Sequence, residues 1–120
     1  SDATDPVYVL DEIELHPGAL EPFLSALARD YEPHARARGM ERIHTWVTPP
    51  IEIEGRGNEV LVVWRLAGAE GFWAARSRSA DPEVLDFWKA CEGYIVARTR
   101  RYAAESSALP ALDAAGRQNA

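Results

Sequence analysis

Val7, Val9, Ile13 and Leu15 alternate with Tyr8, Leu10, Glu12 and Glu14. A period of two means a strand with one buried face, so residues 7–15 are predicted to be a β-strand with an apolar side. Asp11 interrupts that side. The period then lengthens. Leu20, Phe23, Leu24, Leu27, Tyr31 and His34 recur at steps of three and four, the spacing of one helix face. Gly18 is placed to cap the start of this helix and Gly39 to stop it. Pro33 lacks an N–H and clashes with the preceding turn, so it should kink or split the helix near Asp30.

Residues 40–48 and 59–66 read as a second and third strand, joined by "PPIEIEGRGN", an extended arm and a turn. The third strand, "EVLVVWRL", is apolar on nearly both faces, as expected of a central strand. "GAEGFWAARSRSA" predicts a short helical patch. "DPEVLDFWKACEGYIVARTR" predicts a further helix, with Asp81 at its N-cap, Pro82 at its first position and Val84, Leu85, Trp88, Cys91 and Ile95 as its buried stripe. "TRRYAAES" should return as a short fourth strand at a sheet edge. The expected organisation is an N-terminal extension over 1–6, one domain over 7–105 and a frayed tail over 106–120.

Strand, helix, strand, strand, helix, strand is the ferredoxin-like βαββαβ order, an α+β fold with an antiparallel sheet and its helices on one face. The other face is left open. The stretch "RIHTWVTPP" bears on that face. With Ile43 and Val47 toward the helices, Arg42, His44 and Trp46 point to the open side, beside Tyr8, Leu10 and Glu12. The third strand offers two sets, Val60/Val62/Trp64 and Leu61/Val63/Arg65. The pattern leaves the choice open; the second set is favoured for the open side, where Arg65 could pair with Glu12. An open face this apolar is expected to be covered by a second copy of the chain, sheet against sheet.

Composition narrows the function. A chain of 120 residues with 47% hydrophobic residues suits one folded domain. A net charge of −6 argues against nucleic acid as a partner. The one cysteine, Cys91, permits no internal disulfide, and no apolar run approaches a membrane span. A cytoplasmic location is the resulting expectation.

These stretches together resemble the NIPSNAP-like proteins of the dimeric α+β barrel superfamily: "VYVLDEIELHPGALEPFL", "HARARGM" leading into "ERIHTWVT", "NEVLVVWRL" and "ADPEVLDFW". The resemblance spans roughly residues 7–105. It implies a homodimer with a cavity in each subunit. It also implies either cofactor-independent chemistry (proton transfer, cyclisation or monooxygenation) or a non-enzymatic binding or interaction module. It carries no catalytic motif across.

The residues themselves suggest His44 as an acid/base, since an imidazole titrates near neutrality. Trp46 would stack on a flat, aromatic or apolar small molecule. Tyr8, Glu12, His34, Trp64 and Arg65 complete the expected ligand pocket. His16, His34 and His44 are dispersed, with no metal-ligand spacing, so no cofactor is expected. Haem or a metal held through His34 or His44 is the alternative. No Ser-His-Asp arrangement assembles, and Cys91 reads as a structural thiol.

Overall fold

The computed structural model describes residues 5–78 and 80–109. Strand β1 (Val7–Leu15) leads into helix α1 (Leu20–Ala26), a π turn (Leu27–Tyr31) and helix α2 (Glu32–Ala37). Strands β2 (Glu41–Thr48) and β3 (Glu59–Leu66) follow, then helices α3 (Gly68–Ser77) and α4 (Pro82–Ala90) and strand β4 (Ile95–Ala104). The sheet order is β2-β3-β1-β4, and each neighbouring pair is antiparallel. This is the ferredoxin-like topology, with β1 and β3 central and β2 and β4 at the edges.

Val7, Val9, Asp11 and Ile13 of β1 pair in register with Leu66, Trp64, Val62 and Val60 of β3 on the helix side. Phe23, Leu27, Tyr31, Val84 and Phe87 close over them to form the core. Leu61, Val63 and Arg65 therefore face the open side, as favoured from the sequence.

Pro33 splits the first helix in a specific way. The Glu32 N–H donates to the Leu27 carbonyl, five residues back, so the chain widens into a π turn just before the proline. Tyr31 is thereby set into the core at 0% exposure.

Four expectations are corrected. Gly18 is not the cap: Ala19 holds that position, and Gly18 (φ 80°) makes the turn before it. A bulge between Arg42 and His44 shifts the β2 register, so Arg42 lies on the helix side opposite Trp64. Helix α4 ends at Ala90, and a short 3-10 turn hands over to a ten-residue β4 that begins at Ile95. Ile95 thus belongs to the sheet, because the apolar pairs formed by a strand and the end of a helix stripe look alike over so short a run. Finally, the tail begins with an ordered 3-10 turn (Ser106–Ala108) that buries Ala108; the rest of the expected tail, from residue 110, and the first four residues of the extension lie outside the described residues. No helix of the described residues is long and apolar enough to cross a membrane.

Candidate functional site

The open sheet face gathers part of the expected pocket. His44 pairs in register with Val63 and Trp46 with Leu61, so both project from the face carrying Tyr8, Leu10 and Glu12. Two positions apart on one strand face, the imidazole and the indole stack at 4.4 Å and 14°. Trp46 remains 54% exposed. Beside it, Glu12, Val47, Thr48, Glu59 and Leu61 line a shallow groove of about 250 Å³. No hydrogen bond to either ring nitrogen of His44 occurs among the described residues, so no described neighbour fixes the tautomer.

Four expected members are elsewhere or otherwise engaged. Arg65 reaches Glu41 at 2.8 Å rather than Glu12, and Glu12 is paired with Arg101 of β4. The alternation rule places Arg65 and Glu12 on one face, but Arg65 stands opposite Tyr8, four residues along β1 from Glu12, and each has a nearer partner. Trp64 is fully buried on the helix side, away from Tyr8 and Trp46. His34 is exposed on α2 and lines a separate cleft of about 500 Å³ between the first helix and α4, with Arg29, Asp30, Pro33, Asp86, Phe87 and Cys91. Cys91 is buried there, and that burial raises its thiol pKa, as suits an unreactive structural group.

The polar chemistry that the sequence pattern missed lies under the helices. Asp11, the residue that interrupted the apolar side of β1, is 1% exposed. Arg100, its register partner on β4, donates to it from Nε at 2.7 Å and from Nη2 at 2.9 Å. The Trp64 Nε1–H donates to Asp11 Oδ2 at 2.9 Å. Arg100 Nη2 and Arg38 Nη2 each donate to the Tyr31 hydroxyl oxygen at 2.8 Å. Burial draws the Arg100 pKa down, but the hydrogen bond and charge of Asp11 outweigh it and hold it above the ordinary arginine value. Aromatic rings enclose this group. Tyr31 meets Trp64 edge-on at 5.5 Å and stacks on Phe87 at 5.0 Å. Arg98 lies over Trp88, 3.8 Å from the ring centre. The sequence signal was present in Asp11 itself, an acid at a core position, and in Arg98 and Arg100 alternating along β4.

Among the described residues, no group of three or more His, Cys, Asp or Glu side chains is placed to hold a metal ion. At the turn end of the sheet, Asn58 Nδ2 donates to the carbonyls of Pro49 and Ile51, both at 3.0 Å, and so fastens the "PPIEIEGRGN" arm to β3.

No family model and no curated protein matches the sequence. Solved structures do share the fold. A NIPSNAP family protein of unknown function from Agrobacterium tumefaciens is 18% identical, with a TM-score of 0.64 over 85% of this chain and 89% of that one. An uncharacterised NIPSNAP-like domain protein from Burkholderia xenovorans is 17% identical, with a TM-score of 0.66 over 87% and 88%. A second Agrobacterium tumefaciens NIPSNAP family protein is 13% identical, with a TM-score of 0.63 over 88% and 90%. The chain has the fold of these NIPSNAP-like structures from one end of the domain to the other.

Proposed function

We propose that this chain is a homodimeric, NIPSNAP-like binding protein whose two sheets close face to face over a small aromatic or apolar organic molecule. The observation that supports it best is the His44–Trp46 stack, which stands half in solvent on a face that also carries Tyr8, Leu10, Leu61 and Val63. An apolar face of this kind gains stability from being covered, at roughly 25 cal/mol per Å² of apolar area removed from water. Closure by a second copy converts the groove beside Trp46 into enclosed space, where an indole binds flat molecules through its face.

Sedimentation velocity of the wild type and of Trp46→Arg tests the assembly. The wild type is expected as a dimer and the variant as a monomer with its fold intact by circular dichroism. A monomeric wild type at every concentration overturns the reading.

His44 supports a second reading, an enzyme that moves protons without a cofactor. Both of its ring nitrogens lack a partner among the described residues, so either is free to engage a ligand. His44→Ala separates the two: an enzyme loses turnover and keeps its dimer, whereas an interface histidine loses dimer stability.

A further inference from the structure

Three arginines in this protein grip a carboxylate with the same edge of the guanidinium. Arg29 donates to Asp30 from Nε and Nη2 at 3.0 and 2.8 Å. Arg42 donates to Glu32 from the same two atoms, both at 2.9 Å. Arg100 does the same to Asp11 at 2.7 and 2.9 Å. This fork matches the spacing of two carboxylate oxygens.

Arg38 presents that edge to something smaller. Its Nη2 donates to the single oxygen of Tyr31, and its Nε is buried with no hydrogen-bond partner. The residue is 6% exposed, and no carboxylate pairs with it among the described residues. A buried guanidinium without a counter-charge carries a desolvation cost that one neutral hydroxyl does not offset. The helix end does not supply the missing charge. Arg38 follows the last residue of α2, but its guanidinium turns back to the Tyr31 hydroxyl and makes no hydrogen bond to a terminal carbonyl among the described residues.

The surroundings add to the surplus. Arg38 and Arg100 share the Tyr31 oxygen, so the two cations sit within two hydrogen-bond lengths of each other. Arg98 stands nearby over Trp88, and its pKa is lowered by partial burial and then by the charge of Arg100. One carboxylate, Asp11, serves this group, and Arg100 already takes both of its oxygens.

We propose that Arg38, with the Tyr31 hydroxyl beside it, is the binding site for the carboxylate of a small organic acid. The acid's two oxygens take Nε and Nη2, as Glu32 and Asp11 do for their own arginines, and Tyr31 donates its hydroxyl proton to one of them. The Tyr31 ring, with Phe87 and Trp88 packed on it, lies beside the Arg38 guanidinium and makes its surroundings apolar. Ala37 and Gly39, on either side of Arg38, are exposed, so the site lies one residue below the surface at the end of α2. This site is on the helix side of the sheet and does not depend on the dimer proposed above.

The test is a titration of the full chain with benzoate, acetate and inorganic phosphate at matched ionic strength, followed by the Arg38 Nε–H resonance in nitrogen-edited NMR and by Tm. Benzoate is expected to move that resonance saturably and to raise Tm by at least ~3 °C. Arg38→Met is expected to abolish the rise, and its ligand-free form to melt no lower than the ligand-free wild type. An unmoved Nε–H resonance in the wild type overturns the proposal, whether or not the variant folds. A response to phosphate without one to benzoate, or an undiminished benzoate response in Arg38→Met, overturns it equally. Sedimentation of the same samples reads the sheet-to-sheet dimer independently.

Discussion

Arg100 holds Asp11 by both carboxylate oxygens across a directly opposed pair of β4 and β1, at 2.7 and 2.9 Å, with the acid almost wholly out of water. A charge placed so deep is stable only with its partner. Asp11→Ala leaves Arg100 buried beside Arg38 and Tyr31 with no anion, and is expected to lower stability by about 3–5 kcal/mol. Replacing both charges, Asp11→Leu with Arg100→Met, should restore most of the loss, because two apolar side chains of similar size need no partner. Urea midpoints of the single and double variants check this. Equal losses in both would contradict it.

The ion pair of Glu32 with Arg42 predicts a pH dependence. The Arg42 hydrogen bond, set against the cost of burial, holds the Glu32 carboxyl below the ordinary value of 4.5. A depressed carboxylate contributes stability that is fully present above the unfolded value and is lost as pH falls through the folded one. Wild-type stability should therefore decline below pH 4.5 more steeply than that of Glu32→Gln. At neutral pH the variant should be weaker by about 1–2 kcal/mol. Denaturant midpoints across an acid series read both effects.

Gly57 marks a close approach of backbone to backbone. A Cβ built there falls 2.0 Å from the Leu15 carbonyl oxygen. Gly57→Ala should push the arm away from the end of β1 and strain the Leu15 N–H to Asn58 carbonyl bond, now 2.8 Å. A loss of about 1–3 kcal/mol is expected, as for other overpacked sites. Hydrogen exchange at the Leu15 amide should rise with it; a protected Leu15 amide would argue against this account.

Leu61 offers a control on the open face. Leu61→Arg should dissociate the proposed dimer, as Trp46→Arg should, because Leu61 is Trp46's register partner on that face. The monomer's own unfolding should change by less than about 0.5 kcal/mol, since neither residue touches the core. Concentration-dependent sedimentation of the variant tests this.

Much of the architecture was legible because alternation and helical period are written by burial itself. Val7, Val9, Ile13 and Leu15 face the helices for the reason their spacing indicates, whereas β3, apolar on nearly both faces, left its two sets open and the pattern only favoured the arrangement found. His44 and Trp46 were correctly read as sharing the open face. Arg42 was misread because a bulge adds one residue to β2 without leaving a mark in the hydrophobic pattern. The Asp11 network was missed for a different reason. Its members come from β1, β3, β4 and the first helix, and only the fold brings them together. A lone acid in an apolar row announces that a partner exists but does not say which of the arginines it is.

The π turn before Pro33 counts one residue more than an α-helix needs to cover the same length. Because that residue is absorbed within one turn, the helix on either side keeps its face toward the sheet, and removing a single residue between Leu27 and Asp30 is expected to restore an ordinary α-helix with Tyr31 still on the buried side. Among the described residues, Tyr31 is where Arg38 and Arg100 meet, so the local widening of the helix lies directly beside the buried charges.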